Sequence, residues 1–412
     1  MKQLVGSLAS VYVLAFFLDG CLGLANGALL LGAHSSALGA VRTAFGLPLL
    51  FLSFVLYLVL GLTSYLPRRT LLAAVLYPFV SFLVTTPVSI GLSGSLSITD
   101  LVRSDLGAVA AKAPGLLFVP LIDALLQLGV AAWTVVAVRR LSEWKRWTLP
   151  PEALSEADFR WKRALAFVTA NFVVVGIGVP LYLYALLSVG VNTFGRGFVV
   201  CQGGAISVVT QDYARDGKVV SLVGMMHIAE KGSYEKLVAS IDPKGSVLLQ
   251  EGVSDEKDLL HQKTDYKKAA TALGLETQVE AFHPAEKGLE VESGDVDAQV
   301  FSPGTIGLLN GIFRIHNGTA GAGDMLALQK QMSDPDAVDG LFKDILEKRN
   351  EHLLQRIDEA LTSHDRVIVP WGAYHLPDIS AALAGKGFKV VKSEPRTVIR
   401  LWSRGGAEEP VR

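Results

Sequence analysis

Two short sequences in the second half of the chain hold the residues best suited to chemistry: Gly224-Met225-Met226-His227 and Gly372-Ala373-Tyr374-His375. Each GxxH follows an apolar run, Val219 to Val223 in one case and Val367 to Pro370 in the other. A third apolar run, Ser246 to Gln250, ends in Glu251-Gly252. All three runs read as buried strands with polar residues just past their carboxyl ends, which is where open α/β sheets bind ligands. A glycine ahead of each histidine is expected to let the backbone turn sharply and expose the imidazole. Two imidazoles and a carboxylate at one sheet edge would make a three-ligand set for a divalent metal ion, with His227, His375 and Glu251 as ligands and one position open. A histidine at a strand end serves equally well as a hydrogen bonder of the fold.

A helix predicted from about Val338 to Leu361 supplies the next candidates. Val338, Phe342, Ile345, Leu346, Leu353, Leu354, Ile357 and Leu361 form its apolar stripe at helical spacing. Arg349 lies four residues from both Ile345 and Leu353, and Asn350 four from Leu346 and Leu354, so both side chains should point inward. A buried guanidinium needs an anion. Glu251 is the expected partner, a substrate carboxylate or carbonyl oxygen is the other candidate, and a purely structural ion pair is the plain alternative. Gly294-Asp295-Val296-Asp297 follows an acidic stretch and could bring two more carboxylates to the site, or form a solvated loop. His261, His283, His316, His352 and His364 read as surface or turn residues. Asn317-Gly318-Thr319 fits a glycosylation sequon, and the glycine-rich segment around it lacks the Lys and Ser/Thr of a phosphate loop. No serine sits in a GxSxG turn, which leaves a metal or carboxylate mechanism as the enzymatic reading.

The elements that would position these residues fall into two unlike halves. From about Thr193 short apolar runs alternate with amphipathic helices, the pattern of βα units on a mostly parallel or mixed sheet. Residues 1–192 instead read as a transmembrane bundle of about five helices, at 4–31, 45–65, 71–92, 115–138 and 165–191, each near the twenty apolar residues that cross a bilayer. The fold class expected is therefore a multi-pass α-helical membrane bundle followed by a soluble α/β domain over 193–412. Half of the 412 residues are hydrophobic and only 19% are charged, at a mean hydropathy of +0.38. The first 192 residues hold 13 Lys/Arg against 8 Asp/Glu, and the remainder 25 against 31. Basic residues crowd the connections at Arg68-Arg69 and in the 139–163 loop (Arg139, Arg140, Lys145, Arg146, Arg160, Lys162, Arg163). Short basic loops stay cytoplasmic, so both loops and the N-terminus are expected inside and the C-terminal domain extracytosolic. Asp19 and Asp123 fall inside spans, where an acid is either paired, protonated or functional. No repeat within the bundle marks a transport pathway, and the bundle reads as an anchor. The acidic C-terminal half excludes a nucleic-acid partner. Cys21 and Cys201 make neither a disulfide framework nor a CxxC metal site, and Leu18-Asp19-Gly20-Cys21, with its acid beside the cysteine, reads as part of a retained helix.

Taken in order, Val223-Gly224-Met225-Met226-His227, Leu249-Gln250-Glu251-Gly252, Arg349-Asn350 with Leu353 and Ile357, and Gly372-Ala373-Tyr374-His375-Leu376-Pro377 resemble the motifs of the TraB/GumN/TIKI superfamily. That superfamily takes in pheromone-shutdown proteins and is distantly related to erythromycin esterases and ChaN-type haem-binding proteins. The resemblance covers about Val219 to Val391 and leaves the membrane bundle outside. It implies a site built from His227, Glu251, Arg349, Asn350 and His375, with Gly224, Gly372, Tyr374, Asp295 and Asp297 in accessory places. Some relatives are described as metal-dependent proteases acting on extracellular proteins and others as pheromone-binding or inhibitory membrane proteins.

The expectation that follows is a membrane-anchored, metal-dependent hydrolase, a peptidase first of all, acting on the extracytosolic side. In it Glu251 would be a ligand or general base, and Arg349 would stabilise the developing oxyanion. The alternative is a non-catalytic module that binds or sequesters a peptide or small ligand. The expected partners are the lipid bilayer and a peptide or protein; oligomeric state, metal identity and substrate are not specified by the sequence.

Overall fold

The computed structural model describes the chain apart from residues 1, 64, 68, 97–99, 101–105, 140–153, 157–160, 262–265, 333 and 403–412. It divides into two compact units, residues 1–189 and 190–412.

The first unit contains five helices long and apolar enough to cross a membrane: α1 (Lys2–Ala33), α2 (Gly39–Leu62), α3 (Arg69–Leu92), α4 (Gly115–Arg139) and α5 (Trp161–Phe194). Helix α2 starts six residues earlier than the hydropathy pattern suggests. The window stopped at Arg42, but that arginine is inside the helix and compensated, its Nη2 lying 3.0 Å from Asp123 Oδ2 on α4. Helix α1 packs against α4 through Gly20, Gly23 and Gly27. A Cβ on any of them would stand 2.9–3.0 Å from Leu128, Ala124 or Leu121. Small residues allow this approach, and van der Waals packing is what holds helices together in lipid. Tyr12, Phe16, Leu49, Leu56, Leu71 and Val75 fill the interior, while Phe82, Val84, Leu125, Phe172 and Leu181 are exposed. So apolar a surface is stable in hydrocarbon and costly in water.

Strands β1 (Tyr65–Pro67) and β2 (Leu154–Glu156) pair antiparallel, joining the two connections that the charge pattern assigns to one side of the membrane. Arg68, Arg140, Lys145, Arg146 and Arg160, on which that pattern leans, lie outside the described residues.

The second unit is built on a mixed sheet. Its strands are β3 (Val199–Gln202), β4 (Ala205–Arg215), β5 (Lys218–Met225), β7 (Ser246–Gln250), β9 (Glu290–Ser293), β10 (Arg366–Gly372) and β11 (Lys389–Arg400). Across the sheet the order is β11-β4-β5-β10-β7-β9, with β3 paired to β4. Strands β5, β10, β7 and β9 run parallel, and the β3, β4 and β11 edge is antiparallel. A small ribbon, β6 (Ile228–Ala229) with β8 (Glu276–Thr277), stands beside it. Side chains alternate across the pleat. Val367, Val369 and Trp371 of β10 meet Leu353 and Ile357 on one face, and Ile368 meets Tyr234, Leu237 and Val238 on the other. Helices therefore cover both faces: α6 (Ser233–Ala239) on one, α8 (Arg349–Ser363) and α9 (Leu376–Gly385) on the other, with α7 (Pro303–His316) outside this core. Burying each such aliphatic side chain is worth about 1.5–3 kcal/mol.

Candidate functional site

Parallel register brings four strand ends side by side. Gly372 is level with Met225, Ile368 with Leu248, and Gln250 with Ser293. The residues just past them are His227, Glu251, Asp295 and, after one tight turn, His375. Helix α8 supplies the fifth member. The helical stretch predicted over 338–361 runs from Pro335 to Ser363, with a π-helical turn at Lys343–Lys348 directly before Arg349. Such turns insert an extra residue into the helix, re-aim the side chains that follow and are common at functional sites.

Arg349 is the centre of the arrangement. Its Nε donates to Asp295 Oδ1 at 2.9 Å and its Nη2 to Asp295 Oδ2 at 2.7 Å, a two-toothed pair. Nη2 also donates to Glu251 Oε1 at 2.8 Å, so the partner expected from the sequence is present. Nη1 stands 3.4 Å from Ile345 O and 3.4 Å from His375 Nε2. A guanidinium has five N–H donors, and all five meet an acceptor of the chain. The carboxylates are held in turn. Asp295, whose side chain is 0% exposed, accepts from the backbone of Gly252 and Val296, and Glu251 Oε2 accepts from Gly372 N at 2.6 Å. Burial works against the charge on Arg349, but the hydrogen bonds and attraction of Asp295 and Glu251 outweigh it and raise its pKa further. The guanidinium also lies 5.6 Å from the Trp371 ring centroid.

His375 is buried at the edge of this cluster. Its Nδ1 is 2.7 Å from Asn350 Oδ1, so the proton sits on Nδ1 and the Nε2 lone pair faces Arg349. Burial, then the neighbouring guanidinium, push its pKa down to about 3, with Asp295 opposing. The imidazole is neutral at ordinary pH. Asn350, expected among the catalytic residues, is buried and orients His375.

His227 is placed differently. Tyr234 Oη donates to Met226 O at 2.6 Å, and Gln278 N donates to His227 O at 2.8 Å, fixing the loop between β5 and β6. The ring is exposed and stacks on Tyr266, centroids 4.7 Å apart and planes 13° apart, and Tyr266 in turn meets His316 edge-on. His227, Glu251, Tyr266, Phe282, His283 and Arg349 line a cleft of about 700 Å³; His375 is not on its wall.

The accessory residues divide. Asp295 belongs to the centre. Asp297 instead caps a short turn, accepting from Gln299 N, Ser254 Oγ and Glu256 N; the backbone donors, Gln299 first, pull its pKa down to about 2. Tyr374 is exposed to solvent. The glycines do not turn the chain as expected. Gly224 and Gly372 lie within β5 and β10, and neither has a positive φ. What they provide is room: a Cβ on Gly224 would stand 3.0 Å from Val209 O, and one on Gly372 would stand 3.4 Å from both Glu251 oxygens.

The arrangement tests the expected metal set. Among the described residues, no three His, Cys, Asp or Glu side chains are grouped to share an ion. His375 Nε2 and Glu251 Oε1, two of the three ligand atoms required, are turned to the Arg349 guanidinium, and a divalent cation there would meet a fixed positive charge. As arranged, His227, Glu251 and His375 do not fit a three-ligand ion. In the same arrangement every N–H of the Arg349 guanidinium already faces an acceptor of the chain, which bears on the oxyanion role expected of it.

Sequence reasoning read Asp295 only as a residue that could join the site. The signal that places it is the polar four-residue strand Glu290–Ser293, too short and too acidic to read as a strand until its partner β7 is known. Tyr266 carried no signal. Comparison of the chain with protein-family models, with curated proteins and with solved structures found no match.

Proposed function

We propose that the C-terminal unit binds a peptide or small ligand in the cleft beyond the carboxyl ends of β5, β7 and β10, and that the five helices hold it at a bilayer on the extracytosolic side. One observation carries this reading. The cleft has the size of a ligand pocket and combines a flat aromatic platform, His227 on Tyr266, with the carboxylate of Glu251. The Arg349 centre beneath it acts as a clamp that fixes the loops. Its closed hydrogen-bond set leaves recognition to the platform, to Glu251 and to the Lys267 and Glu280 pair on the cleft wall. The resemblance of four motifs to those of the TraB/GumN/TIKI superfamily, which includes pheromone-binding membrane proteins, supports this reading.

A test uses the full chain in nanodiscs against a panel of labelled peptides, read by fluorescence anisotropy. Peptides that bind should bind about two- to tenfold more weakly to Tyr266→Ala and His227→Ala, once circular dichroism has shown each variant folded, because one stacked aromatic is worth about 0.5–1.5 kcal/mol. Binding that is indifferent to both substitutions would overturn the reading.

Hydrolysis is the second reading, favoured by an exposed imidazole and a carboxylate on one cleft wall, groups able to carry a proton between water and a scissile carbonyl. Peptide turnover lost in both His227→Ala and Glu251→Gln would select it over binding alone. Sidedness is checked by a reporter fused at the C-terminus that works only in the cytosol, and it should stay silent.

A further inference from the structure

The bundle contains a polar centre of its own. Gln127 is the middle residue of the 25-residue α4, and Asp19, Leu50 and Ser81 fall within two residues of the middles of α1, α2 and α3. At that common depth lies a cavity of about 350 Å³ lined by Asp19, Arg42, Gly46, Ser81, Asp123 and Gln127. Sites for ions and substrates in membrane bundles gather near the bilayer midplane, where four helices can each contribute a group.

The charges in it do not balance. Arg42 is committed to Asp123, with Nη2 3.0 Å from Oδ2, and Asp123 Oδ1 also accepts from Tyr77 at 2.9 Å and Ser81 at 2.5 Å. Asp19 is left with a neutral neighbour. Gln127 Nε2 donates to Asp19 Oδ2 at 3.0 Å and to Phe16 O at 2.9 Å, which fixes the amide with its donor toward the acid. The other oxygen, Asp19 Oδ1, is buried with no hydrogen-bond partner, and Asp19 as a whole is 7% exposed. It faces the gap that Gly46 leaves: a Cβ on Gly46 would stand 3.7 Å from Oδ1. The groups around Asp19 are thus one acid, Asp123, one base, Arg42, the amide of Gln127, and the hydroxyls of Ser81, Tyr77 and Tyr12, whose Oη donates to Ala74 O at 2.6 Å. None of them supplies a second positive charge.

A lone carboxylate at mid-depth in hydrocarbon is costly unless something positive joins it. We propose that Asp19 is the carboxyl of an intramembrane cation site, which takes up one positive charge in the space beside Gly46, either as a proton or as an alkali-metal ion. The N-terminal half would then do more than anchor the domain. Arg42, paired to Asp123, holds the site at a net demand of one charge. The same cavity without Arg42 would demand two.

Two arms separate the carriers, both on the full chain in detergent. In the first, infrared difference spectra look for the carbonyl stretch of a protonated carboxyl group and for its removal by Asp19→Asn. In the second, the thermal midpoint is followed as sodium or potassium replaces a bulky organic cation at constant pH and ionic strength, with a rise of about 3 °C or more expected at saturation. Gly46→Leu fills the gap and leaves each polar group in place. It should abolish the cation-dependent rise, or displace the carboxyl band, even if Asp19→Asn does not fold. A wild-type chain with neither a band that Asp19→Asn removes nor a dependence on alkali ions would overturn the proposal. So would a cation dependence that persists undiminished in Gly46→Leu.

Discussion

Each unit contains an arginine held by acids, and the two centres are built to opposite ends. In the C-terminal unit two carboxylates converge on Arg349, every donor of the guanidinium is taken, and the buried imidazole of His375 completes the ring as a neutral acceptor. In the bundle one carboxylate takes Arg42, and a second, Asp19, keeps an oxygen open toward a cavity. The surroundings account for the contrast. A clamp beneath an open cleft gains from closure, because backbone amides and paired charges fix the loops that form it. A cluster in hydrocarbon has no water to complete it, so an open oxygen there marks a place for something to bind. Counting donors against acceptors tells a closed centre from an open one, where naming the residues would not.

The largest effect that could break this comparison comes from Asp295. Asp295→Ala leaves Arg349 buried with one of its two carboxylate partners, and the cost expected for such a break is about 3–5 kcal/mol. Denaturant unfolding of the full chain, followed by hydrogen exchange at β9 and β10, would show it; an effect below about 1 kcal/mol would mean that the centre does not clamp the loops. Arg349→Lys should come next. Lysine keeps the charge but loses the planar fork, so Asp295 and Glu251 cannot both be served, and a loss of about 2–3 kcal/mol is expected by the same measurement.

The pH dependence sharpens the contrast further. His375 has a folded pKa near 3, below its ordinary value of 6.5, so the unfolded chain binds this proton more readily than the folded one. The stability it contributes is complete above about pH 6.5 and declines as pH falls from there toward 3, by at most about 1.4 kcal/mol per pH unit. His375→Gln should flatten that part of the curve. An unchanged slope would place the proton elsewhere. The smallest effect belongs to the cleft wall. Tyr266→Ala and His227→Ala break the ring stack and should lower stability by no more than about 0.5–1.5 kcal/mol, less than either change at the Arg349 centre, while weakening ligand binding.

Much of this was legible before any coordinates. Arg349 was placed inward because it sits four residues from two apolar neighbours, and Glu251 followed as its partner because a buried guanidinium needs an anion. The two-part architecture is written in the charge and hydropathy of the halves. Other features escaped for identifiable reasons. The π-helical turn before Arg349 has no residue signature. Asp295 is positioned by β9, whose Glu-Val-Glu-Ser sequence resembles a solvated loop. Gly224 and Gly372 were read for the turns they could make, whereas packing density at Val209 and the Glu251 carboxylate is what excludes a side chain. The metal set was read from residue type, which says which atoms could bind an ion, and only geometry says that His375 Nε2 and Glu251 Oε1 face the Arg349 guanidinium. Arg42 was hidden because a charge normally ends a membrane span, and its partner is 81 positions away.

The most direct test of the claim that Arg349 is the resident cation of the C-terminal site is a metal analysis of the purified full chain. Wild type, His227→Ala and His375→Ala would be compared after equilibration with a mixture of divalent ions and gel filtration. The account predicts no equivalent of bound metal that depends on both histidines. One equivalent per chain in the wild type, lost in each single variant, would contradict it.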